Sequence, residues 1–218
     1  MVPIIEELFL LALDEEKGNI LPFAKKTLAY GISGGILAEL ALLRKVCSNE
    51  NHRLELVDAT PTGDEILDEV LQEIQSSEKQ RKLTYWVSQL SDRPKRLRER
   101  LGERLVGKDL LYQEDKHFFW KLPEGEDAAP AIPTRYEMKS TLRGMILSTA
   151  ESNHRSLALL NIAASSELLG LIFTQDELPV AKRRIHEKLV RAALENPAMQ
   201  TIEDIELAVS ASLDDDDD

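Results

Sequence analysis

Apolar residues recur at helical spacing through most of the chain, and strict alternation is confined to short stretches. Ile5, Leu8, Phe9 and Ala12 fall on one face of a first helix over 4–13, and Gly18 follows as its stop signal. A second helix is predicted over about 23–43, with Pro22 near its start and Gly31, Ser33, Gly34 and Gly35 in its middle. Glycine costs a helix interior about 1 kcal/mol against alanine, so small residues there imply that another element packs very close. The Gly31 and Gly35 spacing would favour dimerisation in lipid; in a soluble core it marks close helix packing. Residues 28–43 are apolar around the whole circumference, and this segment is expected to be the buried central helix.

The alternation over 53–57 predicts a short strand, after which the turn sequence TPTGD leads a helix over 64–74. Two more helices are expected over 83–90, with Thr84 as a cap, and over 94–106, with Pro94 in the first turn. Residues 110–112 and 118–121, separated by Glu114, Asp115 and Lys116, have the pattern of a small hairpin. Three prolines and three acids over 123–133 predict an exposed loop, which is also the best internal boundary. Helices follow over 134–149, 153–169, 176–194 and 201–213, with Pro197 as the break between the last two. The expected architecture is mainly α: a single helical-bundle domain over 1–213 with a small β-hairpin, then an acidic, disordered tail over 214–218.

Composition narrows the function. With 218 residues, 43% hydrophobic and 30% charged, the chain can bury a substantial core. Its one cysteine, Cys47, can form neither an internal disulfide nor a multi-cysteine metal site, which favours a reducing compartment. Glu6 and Glu7 interrupt what a signal peptide would need, and the 16 residues over 28–43 fall short of the roughly 20 that cross a bilayer, so a cytoplasmic protein is expected. The four histidines have no paired-ligand spacing, TPTGDE lacks the frame of a phosphate loop, and no pair of carboxylates is marked out as acid and base. Neither catalysis, metal nor cofactor is expected.

The net charge of −12 argues against nucleic acid as a general partner. Yet residues 79–108 hold ten Lys or Arg against three acids, so a basic face could meet something negative. In PKRLRERLGERLV, Leu97, Leu101 and Leu105 form one stripe with cations around it; this is either an ordinary solvated face or an anion-binding one. Trp86 sits on the inward stripe of its helix with Leu83, Val87 and Leu90. Phe118, Phe119 and Trp120 cannot all face one core from a strand; either a second helix covers the other face, or that face meets a membrane or partner. The helix-then-hairpin order is also that of a winged helix, which leaves a nucleic-acid contact open.

Four blocks, EELFLLALDEEKG, YGISGGILAELALLRKV, DATPTGDEILDEVL and LRERLGERLVGKDLLYQEDKHFFW, resemble in order and spacing the signature blocks of the Golgi phosphoprotein 3 family. The resemblance is strong over 4–120 and continues weakly to about 211, and it is to the family's compact prokaryotic versions, which lack a basic amino-terminal arm. It implies a helical bundle with a membrane-facing hairpin that binds phosphatidylinositol 4-phosphate, reversibly membrane-associated, at the Golgi in eukaryotes, where members also recruit protein clients. The headgroup pocket it implies maps to Lys95 and Arg98 on the LRERL helix, to Ser33 where the family has arginine, and to Phe23 or Ala24 where the family has tryptophan. Phe118, Phe119 and Trp120 map to the hairpin. The resulting expectation is a peripheral module on anionic phospholipid surfaces, without catalysis. The alternative is a protein-interaction scaffold of the same fold that has lost lipid specificity.

Overall fold

The computed structural model describes residues 2–14, 17–113, 120–121, 135–148 and 152–215, with backbone alone for 94–96, 113 and 120–121. Among them are helices α1 (Ile4–Ala12), α2 (Ala24–Leu42), α3 (Glu65–Ser76), α4 (Leu83–Ser91), α5 (Pro94–Gly107), α6 (Arg135–Leu147), α7 (His154–Ser165), α8 (Leu178–Glu195) and α9 (Pro197–Asp214). Strands β1 (Val46–Ser48) and β2 (Leu54–Leu56) pair antiparallel, as do β3 (Tyr112–Gln113) and β4 (Trp120–Lys121).

The centre is α2, which packs against α1, α3, α4, α7 and α9. Its small residues admit these neighbours. A Cβ on Gly34 would lie 2.8 Å from Val209 Cγ2 of α9, and one on Gly35 would lie 3.0 Å from Ile5 of α1. Gly31 meets Ser166 and Leu168 just after α7 in the same way. Apolar side chains from all nine of these helices join one buried cluster. The periodicity of α1 predicts a single apolar face, but the helix is buried nearly all round, Glu6 included.

Several expectations need correction. Thr84 does not cap α4: Lys82 stands at the cap position without a side-chain bond, and Thr84 lies inside the first turn. Leu110 and Leu111 are not strand residues; both are buried against the core, and the hairpin begins at Tyr112. Pro197 does fall at the break between α8 and α9, but the last helix starts there and not at 201: Asn196 accepts a hydrogen bond from Ala198 N at 3.0 Å, and proline fits a first helical position, where no amide donor is required. The seventh helix stops at Ser165, and a 3-10 turn follows at Leu169–Leu171. Strand β1 has no alternation to announce it. It is only three residues long and is held by β2 and by α9, where Thr201 Oγ1 accepts from Ser48 N at 3.1 Å. The last helix extends through Asp214, and Asp215 caps it, so the acidic run begins inside an element; its remainder and the loop over 123–133 lie outside the described residues.

Candidate functional site

A cleft of about 210 Å³ opens between the first turns of α2 and α5, lined by Ile20, Lys25, Leu28, Ala29, Ile32, Leu97 and Arg98. The turn between α1 and α2 sets its rim. Gly18 adopts φ +61°, and Leu13 and Ile20 bridge antiparallel, which returns the chain to the start of α2. Lys25, Leu28, Ala29 and Ile32 then follow at helical spacing along one face, and Leu97 and Arg98 close the cleft from α5.

The charges and helix ends around this cleft favour an anion. Backbone amides at a helix N-terminus carry positive partial charge, which carboxylates ordinarily offset. Neither α2 nor α5 has an acid in its first turn or a side-chain cap; instead Lys25 and Lys26 occupy the first turn of α2, and Lys95 and Arg96 that of α5. Cations in these positions are unfavourable unless an anion joins them. Among the described residues the Lys25 side chain has no partner, and Arg98 Nε is buried without a hydrogen bond.

The rest of the basic segment has another role. Arg93 pairs with Glu73 at 2.6 Å, Arg100 with Glu69 at 2.6 Å, and Arg104 with Asp64 at 2.5 Å. Arg104 and Lys108 both hold the fully buried Glu6 of α1. Burial opposes charge on both Asp64 and Arg104, but their mutual ion pair outweighs it, so the Asp64 carboxyl is held below and the Arg104 guanidinium above its usual range. Four cations of the segment therefore fasten α5 to α1 and α3. Part of the excess read from the sequence is thus neutralised within the fold, and Arg98 faces the cleft.

Of the residues predicted from sequence, Arg98 lines the cleft. Lys95 lies one turn before it in α5, with its side chain outside the described residues. Phe23 directly precedes α2 and is 56% exposed. Ser33 is fully buried; its hydroxyl donates to Ala29 O at 2.8 Å, and it does not line the cleft. Trp120 lies in β4, while Phe118 and Phe119 lie outside the described residues. Sequence reasoning misses Lys25. Its signal is the Lys25, Leu28, Ala29, Ile32 spacing, which is masked when the whole helix is taken as buried. Trp86 is in the core, as its stripe predicts. Among the described residues no His, Cys, Asp and Glu cluster could hold a metal ion, and no helix is long and apolar enough to cross a membrane.

Comparison with known proteins bears on the whole chain. A family model described as Golgi phosphoprotein 3 (GPP34) matches residues 4–205. The chain is similar to the vacuolar protein sorting-associated protein 74 of Eremothecium gossypii, 31% identical over 136 residues, which is 53% of this chain and 40% of that protein. The protein of the same name from Schizosaccharomyces pombe is 31% identical over 135 residues, again 53% and 40%. A VPS74-like protein of Dictyostelium discoideum is 30% identical over 120 residues, 49% of this chain and 45% of that protein. The matched segment thus spans less than half the length of each of these relatives.

Proposed function

The chain belongs to the Golgi phosphoprotein 3 family, and on that premise we propose that it is a peripheral module binding anionic phospholipid, with phosphatidylinositol 4-phosphate-type headgroups entering the cleft between α2 and α5. The family is known for phosphatidylinositol 4-phosphate-binding Golgi adaptors, and its proteins are non-catalytic. One observation carries the reading: two uncapped helix N-termini, each with basic residues in its first turn, meet at a cleft that contains Lys25 and Arg98. A headgroup phosphate there would accept hydrogen bonds from Arg98 and an ion pair from Lys25, and it would offset both helix ends at once.

Lys95 stands in the same first turn of α5, and Phe23 in the exposed approach to α2, where an aromatic ring suits the lipid interface. The hairpin β3–β4 follows the carboxyl end of α5, and the family resemblance makes its aromatic run Phe118, Phe119 and Trp120 a second membrane contact in this reading. Ser33 supplies no cation. Binding is therefore weaker, salt-sensitive and less selective for the 4-phosphate than a pocket with arginine at that position. Association is reversible and peripheral, and the adaptor role extends to protein clients.

Sedimentation with vesicles containing phosphatidylinositol 4-phosphate tests this. Each basic residue near an anionic surface contributes about 1 kcal/mol, so Lys25→Ala with Arg98→Ala should weaken binding by roughly 30-fold. Folded wild-type protein that ignores such vesicles at low salt would refute the lipid reading and favour the scaffold of the same fold.

A further inference from the structure

The cleft between α2 and α5 is charged at its rim and apolar within. Among the described residues that line it, Lys25 and Arg98 carry charge, whereas Ile20, Leu28, Ala29, Ile32 and Leu97 are hydrocarbon. Lys25 is exposed and Arg98 half-buried, while Ile20, Leu28, Ile32 and Leu97 are core side chains that the cleft lays open. No side chain among these lining residues can accept a hydrogen bond. Ser33, one turn beyond Ala29 on α2, spends its hydroxyl on Ala29 O at 2.8 Å and does not line the cleft.

This lining discriminates between the groups that could follow a phosphate inward. A polyol ring has hydroxyls that donate as well as accept, whereas lysine and arginine only donate. Ring hydroxyls drawn inside would give up water and find no side-chain acceptor among the described residues. Water is poorly held there too, since a bound water needs about two to four polar partners. A hydrocarbon group gives up no hydrogen bond on entering, and it covers core side chains that are otherwise open to solvent. On the reading that this cleft takes a headgroup phosphate, we propose that it is selective for a phosphomonoester carried on an apolar carbon chain, the chemistry of an alkyl or polyprenyl monophosphate. The phosphate sits at Lys25 and Arg98, where it satisfies Arg98 Nε, which is buried without a hydrogen bond. The first carbons of the chain lie against Leu28, Ile32 and Leu97. A phosphoinositide engages the same two cations and keeps its ring toward solvent.

Calorimetry of the full chain with methyl, butyl and hexyl phosphate and with myo-inositol 1-phosphate, at low salt, tests the proposal. Each methylene buried strengthens binding by about three- to four-fold, so in a half-open cleft butyl phosphate should bind about ten-fold or more tightly than methyl phosphate. Inositol 1-phosphate should bind no more tightly than methyl phosphate. Ala29→Leu, at a partly buried position, fills the floor and should bring the butyl-to-methyl ratio close to one, whereas Arg98→Ala should weaken the whole series. Sedimentation with phosphatidylcholine vesicles carrying hexadecyl phosphate, lost in Arg98→Ala, would place the ligand in a membrane; binding of the soluble esters alone would place it in solution, and either supports the apolar floor. An affinity independent of chain length in the wild-type protein, or inositol 1-phosphate bound more tightly than butyl phosphate, would overturn the proposal. If vesicles containing phosphatidylinositol 4-phosphate still sediment the protein in that case, the lipid reading stands without it; loss of vesicle and phosphate binding together would overturn both.

Discussion

At the residue scale, the close approaches around α2 make sharp predictions. Gly34→Ala places a methyl 2.8 Å from Val209 Cγ2 and 3.2 Å from Ile162 Cδ1. Such overpacking should cost about 1–3 kcal/mol in urea unfolding. A methyl added at Gly144, inside α6, would meet nothing within 4 Å, so Gly144→Ala should stabilise by about 0.5–1 kcal/mol. Glu6 is fully buried between Arg104 and Lys108, and Glu6→Ala removes its charged hydrogen bonds while Arg104 keeps Asp64 and the half-exposed Lys108 turns to water, a loss of about 2 kcal/mol. Its neighbour Glu7 behaves differently. Burial pushes the Glu7 carboxyl up to about 7, against the pull of Arg155 and with the help of Glu39 and Glu6. The native state then holds a proton that the unfolded chain releases near 4.5, so this stabilisation is complete below that pH and is lost as pH rises through 7. Burial raises Glu206 as well, which adds to the same slope. Urea midpoints should fall between pH 5 and pH 8, and Glu7→Gln should flatten much of that fall.

The elements differ in how much of their position their own sequence carries. The small residues and unbroken apolar circumference of α2 predict a central helix, and Leu97, Leu101 and Leu105 predict the buried stripe of α5; all of these are observed. By contrast, which cations of α5 remain available depends on acids 20 to 102 residues away, and no local pattern carries that information. The Asn196–Pro197 pair is locally readable as a cap followed by a first-turn proline, and reading the proline only as a break gives the right place but starts the last helix too late. Asp64 shows how one residue fixes two elements. It caps α3 through Ile66 N and Leu67 N, at 3.0 and 3.3 Å, and pairs with Arg104 of α5. Asp64→Ala should cost about 2 kcal/mol, and Asp64→Ser, which restores the cap alone, should recover about half. Thermal denaturation of the two variants separates the contributions.

For the molecule as a whole, several basic residues of an acidic chain are committed to ion pairs between elements, while Lys25 and Arg98 line one cleft and Arg53, Arg81 and Lys82 another groove. The fold is open to sequence reasoning because helical periodicity and packing are local or repetitive signals. The site is only half so: Arg98 is legible, Lys25 is hidden in a helix that reads as core, and Ser33 spends its hydroxyl inside that helix. The central claim is that the α2–α5 cleft takes the phosphate of an anionic headgroup. Amide chemical-shift mapping with a soluble short-chain phosphatidylinositol 4-phosphate tests it most directly. The account predicts saturable shifts at Lys25, Leu28, Ala29, Ile32, Leu97 and Arg98, diminished by Arg98→Ala; shifts absent there, or gathered at Arg53 and Arg81 in their place, would contradict it.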